Sequence, residues 1–341
     1  MPWLFSVNLA ELSTIANLNS PPVESELDPA LVAESVSYLA SDVALESLEL
    51  DPYWPKWNSP WWQMLLLHEL GMTKSIPQAA IEKVLEVMDK HYLKFFPFRE
   101  EEIPPGKNPY RHIACHCALG SMEQVLHAWG IDVTKRLDWI SPWYIKYQLP
   151  DGGLNCDEAA YTRTTPKGSI VSSIPPLEAV LHCRDGNLSA DDELFLQRGA
   201  EYLIEKRLFR RSSDAKVIDE DWLKLCFPRF YHYDVLRGLN FLLDWSGVTR
   251  TELPISAIAD AVFVINESAK NGALHVQRNA WLGANTLMYD PVHAGWLKKP
   301  SVSYTLLDRV SELGNVSYVL TNKWSDAKRK MQALIHEGLL L

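Results

Sequence analysis

Residues 61–71 read WWQMLLLHELG, an apolar run that is closed by a glycine. Segments of the same type recur along the chain. Apolar residues spaced as on one face of a helix, followed by a glycine that serves as a left-handed C-cap, predict an α-helix in each segment. The further copies are 115–130, 172–186, 233–247 and 303–314, and successive copies begin 54 to 70 residues apart.

A second helix is predicted after each of the first four copies. Ile81, Val84, Leu85 and Met88 show the helical spacing in the first of these segments, and strand-like alternation is nearly absent from the chain. The predicted second helices are 78–96, 133–148, 192–208 and 255–268. The sequence therefore predicts an all-α protein, in which a helix–turn–helix unit of about 55–60 residues repeats four or five times.

Repeated helix pairs either stack into an open solenoid or close into a ring. The period here exceeds the roughly 34 to 47 residues of common helical solenoids, which favours a ring with the first helices inside and the second helices outside. The predicted domains are an N-terminal extension (1–47), a ring domain (48–320) and a C-terminal helix (321–341). The tryptophan-rich segment 48–62, LELDPYWPKWNSPWW, is predicted to form a strap across the barrel.

Charge and composition exclude several classes of protein. The 341 residues include 33 Lys and Arg against 43 Asp and Glu, which gives a formal net charge of −10. A nucleic-acid-binding protein needs a basic surface, so that class is excluded. The N-terminal residues lack the basic start of a signal peptide, and no apolar run is long enough for a membrane span. Five scattered cysteines favour reduced thiols and a cytoplasmic location.

The helix-pair period and the motif 148–153, QLPDGG, resemble the repeats of terpenoid cyclases and protein prenyltransferases. The resemblance implies an (α/α)6 toroid, with this motif on the turn after an outer helix. Leu154 stands where the family has an aromatic residue, and a weaker copy of the motif is 271–274, NGAL. As architecture, the resemblance covers most of residues 55–315, and bacterial proteins with prenyltransferase and squalene-cyclase repeats resemble the chain most.

The resemblance also implies a zinc site, because protein prenyltransferases bind zinc through an Asp, a Cys and a later His. The matching residues are Asp151, Cys156 and His232, although Cys156 follows Asp151 by five residues rather than two. Such mixed ligation with an open position is typical of catalytic zinc, and Asp157 is an alternative carboxylate ligand. In the structural alternative, Asp151 forms a turn, Cys156 is a small buried residue and His232 hydrogen-bonds a neighbouring loop.

A second thiol cluster is Cys115-His116-Cys117. On a helix, residues i and i+2 do not face each other, so both thiols are not expected to hold one metal if the segment is helical. If it is the loop that enters the helix, Cys115 or His116 can point into the barrel mouth. Repeat symmetry would place the following residues around one rim, with core packing and N-caps as the alternative: His116, Ser172, Ser173, His232 and Asp234.

Other candidate residues also rest on the resemblance. The nearest match to the Asp-x-Asp-Asp motif of protonating cyclases is 219–222, DEDW, and its alternative interpretation is a set of solvated carboxylates. Tyr231 is one of several aromatic residues that would face an apolar ligand or a carbocation, or else fill the core. Arg229 and Arg237 flank His232 and are predicted to hold a diphosphate. The predicted catalytic residues are Asp151, Asp221, Tyr231 and Asp234.

The predicted function is therefore a terpenoid cyclase-like or prenyltransferase-like enzyme that uses zinc and acts on an isoprenoid or other apolar substrate in a central barrel cavity. The alternative is a non-catalytic α/α-toroid protein that binds a peptide or a lipid. Metal content separates the two hypotheses, because the first predicts about one zinc ion per chain and the second predicts none. The expected partner is an apolar small molecule or a peptide and not a nucleic acid, and no membrane span is expected.

Overall fold

The computed structural model describes residues 9–18, 27–91 and 115–341. They form a predominantly helical protein, which confirms the predicted class. The α-helices are α1 (Leu9–Ala16), α2 (Pro29–Leu39), α3 (Asp42–Leu50), α4 (Pro60–Glu69), α5 (Gln78–His91), α6 (His116–Trp129), α7 (Val133–Arg136), α8 (Ile140–Tyr147), α9 (Ile170–His182), α10 (Ala190–Glu205), α11 (Val235–Thr249), α12 (Ile255–Ser268), α13 (Thr305–Val310) and α14 (Tyr318–His336). Strands β1 (Asn285–Asp290) and β2 (Gly295–Pro300) form an antiparallel hairpin that the sequence did not predict.

Four of the five recurring segments contain long helices, which are α4, α6, α9 and α11. The fifth segment, 303–314, contains only the six-residue helix α13. The backbone N–H groups of Gly314 and Ser317 donate to the carbonyls of Val276 and Leu274 at 2.8 and 2.9 Å. Because these N–H groups bond to another segment, they do not continue the helix. The helix that follows α11 in the packing order is α14 and not the short helix of the fifth segment. The predicted domain boundary between 320 and 321 lies inside α14.

The second helices of the repeats are also present, with one interruption. Helices α5, α10 and α12 lie within or close to their predicted segments, although the predicted end of the first, at 92–96, falls outside the described residues. The predicted helix 133–148 is divided into α7 and α8. Pro142 explains the division, because it has no N–H to donate to the carbonyl of Asp138 and its ring would clash with that carbonyl in a continuous helix.

The helices of the first four recurring segments pack in chain order, followed by α14. Helix α4 packs against α6, α6 against α9, α9 against α11 and α11 against α14. Helices α6 and α9 come close together at Gly120. A Cβ atom added there would lie 2.3 Å from the backbone nitrogen of Pro176 and 2.4 Å from the carbonyl carbon of Pro175. The absence of a side chain at Gly120 therefore allows the two backbones to come into contact.

A cavity of about 380 Å³ lies between α4, α6, α9, α11 and α14. Its lining is strongly charged. The charged residues that line it are Glu69, Glu178, Arg229, Arg237, Asp244, Lys323, Asp326 and Lys330. Transferring an apolar substrate from water into such a lining gains little, because charged groups keep their favourable surroundings only when they stay hydrated or paired. The cavity therefore does not support the expectation of an apolar substrate at this place.

The first and last helices of the described chain are joined by side-chain hydrogen bonds. Lys328 Nζ on α14 donates to the carbonyl of Leu18 at 2.6 Å, and Gln332 Nε2 donates to the carbonyl of Ala16 at 3.0 Å. These contacts satisfy carbonyl groups at the C-terminal end of α1 that have no partner within the helix. Within residues 9–18, 27–91 and 115–341, no helix combines the length and the hydropathy that crossing a bilayer requires.

His68, near the end of α4, predicts a loss of stability in mild acid. Its Nδ1 lies 3.0 Å from Thr73 Oγ1, and burial, together with the charge of Lys323, lowers its pKa from 6.5 to about 4. The unfolded chain takes up a proton near pH 6.5 and the folded protein only near pH 4, so the free energy of unfolding falls as the pH drops through this range. We expect this residue to contribute a loss of about 1–2 kcal/mol between pH 7 and pH 5.

Urea unfolding of the wild type and of His68→Gln at both pH values measures this contribution. The variant should lose less stability than the wild type between pH 7 and pH 5, because its amide does not titrate. The other buried histidines contribute equally to both proteins and cancel in the comparison. Identical losses in the two proteins would contradict the prediction.

Candidate metal centre

Cys115 and Cys117 bring their sulfur atoms together because the first of them lies just outside the helix. Cys115 is the N-cap residue of α6, with φ −61° and ψ 169°, and the helix itself begins at His116. The extended backbone at the N-cap turns its side chain towards that of Cys117, and the two Sγ atoms lie 3.2 Å apart. The segment is thus a loop that enters a helix, which was the alternative in which a metal site remained open.

Cys156 reaches the same place from the loop that precedes α9. The N–H of Cys156 donates to Ser172 Oγ at 3.0 Å, and the N–H of Leu154 donates to Ser173 Oγ at 2.7 Å. These two bonds fasten the loop to the first turn of α9. Cys156 Sγ lies 3.6 Å from Cys117 Sγ, and the three Sγ atoms of Cys115, Cys117 and Cys156 all lie within 4.8 Å of one another. We call these three residues the thiol cluster.

The ring of His116 supports the thiol cluster but does not bind a metal, because both of its nitrogens already have hydrogen-bond partners. Trp143 Nε1 donates to His116 Nδ1 at 3.0 Å, so the proton of the neutral ring is on Nε2. That nitrogen lies 3.2 Å from the hydroxyl of Tyr161, which in turn accepts from the N–H of Asn155 at 3.1 Å. Burial lowers the pKa of His116 to about 4. The neutral histidine therefore positions the loop that carries Cys156.

The three thiols do not ionise alike. Hydrogen bonds from the thiols of Cys117 and Cys156 stabilise the thiolate of Cys115 and lower its pKa well below the usual range. The same contacts raise the pKa of Cys117, because its thiol then lies beside a negative sulfur. Cys115 is thus the first thiolate of the cluster, and further ionisation needs a cation to offset the accumulated charge.

A half-buried lysine whose charge acts on the thiol cluster supplies part of that charge. Lys56 Nζ lies 4.8 to 5.9 Å from the centres of five aromatic rings and donates to the hydroxyl of Tyr231 at 3.1 Å. We call this set of rings the aromatic cluster, and its members are Tyr53, Trp54, Trp57, Trp62 and Tyr231. Among the described residues, no carboxylate oxygen lies within 4.0 Å of Lys56 Nζ. Burial lowers the pKa of Lys56, and the three cysteines act in the opposite direction.

The donor set of the thiol cluster fits zinc. Zn–S bonds of about 2.3 Å in tetrahedral geometry place sulfur atoms about 3.8 Å apart, so the separations of 3.2 and 3.6 Å need to widen by about 0.6 and 0.2 Å. Three sulfur ligands leave the fourth tetrahedral position open. Within the part of the chain that the structure describes, this is the one group of three or more histidine, cysteine or acidic side chains whose ligand atoms all lie within 4.8 Å of one another.

The ligand set predicted from the sequence is not brought together as a group. Cys156 joins the two other cysteines, whereas Asp151 and His232 lie outside this group. The carboxylate of Asp151 instead holds its own turn, since it accepts from the N–H groups of Gly153 at 3.1 Å and Gly168 at 2.8 Å. The alternative ligand Asp157 is exposed, and its Oδ1 accepts from the N–H of Ala159 at 3.1 Å.

His232 lies in the loop before α11, against the aromatic cluster. Its ring stacks on Trp57 and Tyr231, with centroids 5.6 and 4.4 Å away. Burial lowers the pKa of His232 to about 3, and its Nε2 is buried without a hydrogen-bond partner among the described residues. The residue thus lies close to Tyr231, a neighbour of the cysteines, without belonging to the thiol cluster.

The other predicted residues have structural partners. Asp234 is fully buried and caps α11, because it accepts from the N–H groups of Arg237 at 2.9 Å and Cys226 at 3.1 Å. Asp221 is exposed and pairs with Lys224 at 2.8 Å, which agrees with a solvated carboxylate. Arg237 and Arg229 line the central cavity, and Tyr231 is the only predicted catalytic residue that belongs to the aromatic cluster.

Sequence reasoning missed the role of Lys56 and underrated Cys115 and Cys117. A signal for the cysteines was present, because a Cys-x-Cys pair at the start of a helix has one member outside the helix. Lys56 gave no such signal, since Tyr231 and the three cysteines lie far from it in the sequence. No family model matches this chain, and neither any curated protein nor any solved structure is similar to it.

Proposed function

We propose that this chain is a zinc protein in which Cys115, Cys117 and Cys156 are the protein ligands. The observation that carries the proposal is the convergence of three thiols from two separate segments to within 4.8 Å of one another. Soft thiolate ligands select zinc, copper(I) or iron–sulfur centres in proteins. The three residues supply only sulfur donors, which is the ligand type that these metals share.

Charge favours zinc over copper(I) in this cluster. Three thiolates and Zn²⁺ carry a net charge of −1, which the single ammonium group of Lys56 offsets. With Cu⁺ the net charge is −2, and half of it remains uncompensated in a buried place, where such charge is costly. The charge of Lys56 also favours the thiolate form of Cys115, because it contributes to the lowered pKa of that thiol.

We further propose that the zinc is catalytic and that the protein is a transferase of the prenyltransferase type on an α/α toroid. Two features support this proposal: three protein ligands leave one position open, as in catalytic zinc sites, and α4, α6, α9, α11 and α14 pack in chain order around one cavity. When bound, zinc would lower the pKa of an acceptor thiol in the open position. Of the three ligands, Cys156, just before α9, is the one that the resemblance also implies.

The residues around the cluster have definable roles in such a reaction. Tyr231 accepts a hydrogen bond from Lys56, so its own hydroxyl proton is available for a leaving group. The aromatic cluster excludes water and presents ring faces that stabilise a cation. Because the central cavity is charged, we place the apolar part of the substrate against these rings and not in the cavity.

Zinc-dependent turnover tests the proposal. The purified protein should contain about one zinc ion per chain and should transfer a prenyl group from a prenyl diphosphate to a thiol acceptor, with the product detected by mass spectrometry. Removing the metal with a chelator should stop the reaction, and adding zinc should restore it. A metal-free protein would refute the zinc site. A protein that binds zinc and shows no turnover would refute the enzymatic proposal and leave the non-catalytic alternative.

A further inference from the structure

One lysine of the central cavity has no carboxylate within ion-pair distance among the described residues. Lys323 on α14 lines the cavity, and no carboxylate oxygen of the described residues lies within 4.0 Å of its Nζ. Partial burial of a charged group costs free energy, and no ion pair offsets that cost for Lys323. It is the kind of group that a bound anion would stabilise.

The two carboxylates whose charge acts on Lys323 are already engaged by other groups. Glu69 accepts from the backbone N–H groups of Arg229 and Phe230 at 2.9 and 2.5 Å. Glu178 accepts from Arg237 through Nε at 2.9 Å and through Nη2 at 2.6 Å. Both acids therefore hold the loop before α11 and the arginine of that helix, and neither turns to Lys323.

The remaining acids of the cavity are engaged by a different lysine. Lys330 Nζ contacts Asp244 at 2.5 Å and Asp326 at 2.6 Å. His182 Nε2 lies 3.6 Å from the second oxygen of Asp244. Arg329 also pairs with Asp326, so the two aspartates and the two cations Lys330 and Arg329 carry no net formal charge. The other charged residues of the cavity are three cations and two acids, with a net formal charge of +1.

Arg229 and Lys323 repel each other across the cavity. The charge of Arg229, followed by burial, lowers the pKa of Lys323 to about 8. The guanidinium of Arg229 has its one carboxylate contact at 3.9 Å, from Nε to Glu69, which is longer than a hydrogen bond. The planar face of donors on an arginine matches carboxylate and phosphate oxygens, and a lysine adds a point charge. An anion between the two cations would relieve their repulsion.

The cavity also offers hydrogen-bond acceptors to a ligand. The side-chain amides of Gln124 and Asn240 line it and donate through nitrogen to carbonyls of the protein, for example from Asn240 Nδ2 to Leu236 at 2.9 Å. Their oxygens thus remain for hydroxyl or amino groups. A volume of about 380 Å³ falls in the range of ordinary small-molecule sites.

We propose that the cavity between α4, α6, α9, α11 and α14 binds a small organic anion, a carboxylate or phosphate that also carries hydroxyl or amino groups, with Lys323 and Arg229 as its anion-binding pair. The site is separate from the thiol cluster, none of whose cysteines lines the cavity. Its occupancy therefore does not depend on zinc or on a transferase activity.

Titration calorimetry of the full chain with inorganic phosphate and with acetate, at constant ionic strength, tests the proposal. We expect saturable binding of at least one anion to the wild type and at least a tenfold loss, about the value of one charge-assisted hydrogen bond, in Lys323→Gln. The higher affinity tells which anion is the ligand group. Lys323→Arg should retain binding, and Lys298→Gln, which alters an exposed lysine of β2, should match the wild type.

The fold of the variant can be checked independently of binding. Because Lys323 has no ion pair to lose, Lys323→Gln should unfold at the same urea concentration as the wild type or a higher one. Equal affinities of the wild type and Lys323→Gln for both anions, or no saturable binding of either anion to the wild type, would overturn the proposal. Zinc-stripped protein should bind the anion as well as zinc-loaded protein does.

Discussion

Cys117→Ser should leave the protein folded and reduce its zinc content from about one ion per chain to less than about a tenth of that. The expected effect is large because the Sγ atom of Cys117 lies 3.2 and 3.6 Å from those of Cys115 and Cys156. A serine hydroxyl keeps the volume but does not ionise at neutral pH, so two thiolates would have to hold the metal alone. Elemental analysis after gel filtration measures the change.

Two buried thiols outside the cluster provide matched controls. Cys183 and Cys226 are free and buried, and replacing either with alanine should leave the zinc content unchanged. His232→Ala and Asp151→Asn separate the structural ligand set from the one that the sequence predicts. Loss of zinc in these two variants, with retention in Cys117→Ser, would favour the Asp151, Cys156 and His232 site instead.

Gly120→Ala should lower the free energy of unfolding by about 3 kcal/mol, near the upper end for overpacking. The added methyl group would lie 2.3 and 2.4 Å from backbone atoms of Pro176 and Pro175, and backbone cannot move aside as a flexible side chain can. Helices α6 and α9 would have to separate. Because α6 carries Cys117 and α9 fastens the loop of Cys156, zinc affinity should fall as well.

Gly247→Ala is the control for this prediction. Gly247 is an exposed residue of α11 with no atom within 4 Å of an added Cβ. Alanine is favoured over glycine inside a helix by about 1 kcal/mol, so this variant should be more stable than the wild type in urea unfolding. If both glycine variants changed stability by the same amount and sign, the close contact of α6 and α9 at Gly120 would not be the cause.

The helices could be predicted from the sequence because their apolar spacing directly reflects which face is buried. Segments 78–91 and 255–268 are examples, because the buried residues of α5 and α12 recur at helical spacing. The hairpin of β1 and β2 could not be predicted in this way. Most of its residues are exposed or half-buried, without alternation between two faces, so no period-two pattern marks it.

The metal centre was predictable only in part. Cys156 was recognised through its motif, but the place of Cys115 depends on whether α6 begins at residue 115 or 116. Helix boundaries are the least certain part of any sequence-based assignment, and a shift of one residue decides whether two thiols meet. Lys56 lies nearly 60 residues before the nearest cysteine, so local patterns carry no information about its position.

The hydrogen bonds from α14 to α1 have a consequence for the folding of the chain on the ribosome. The bond between Lys328 and Leu18 spans 310 residues. At about 5–20 residues per second, synthesis of that interval takes roughly 15–60 s. Throughout this time, the apolar face of α1, with Leu12 and Ala16, lacks the helix that covers it. Final assembly of these helices must therefore follow translation, and until then a chaperone has a binding site at α1.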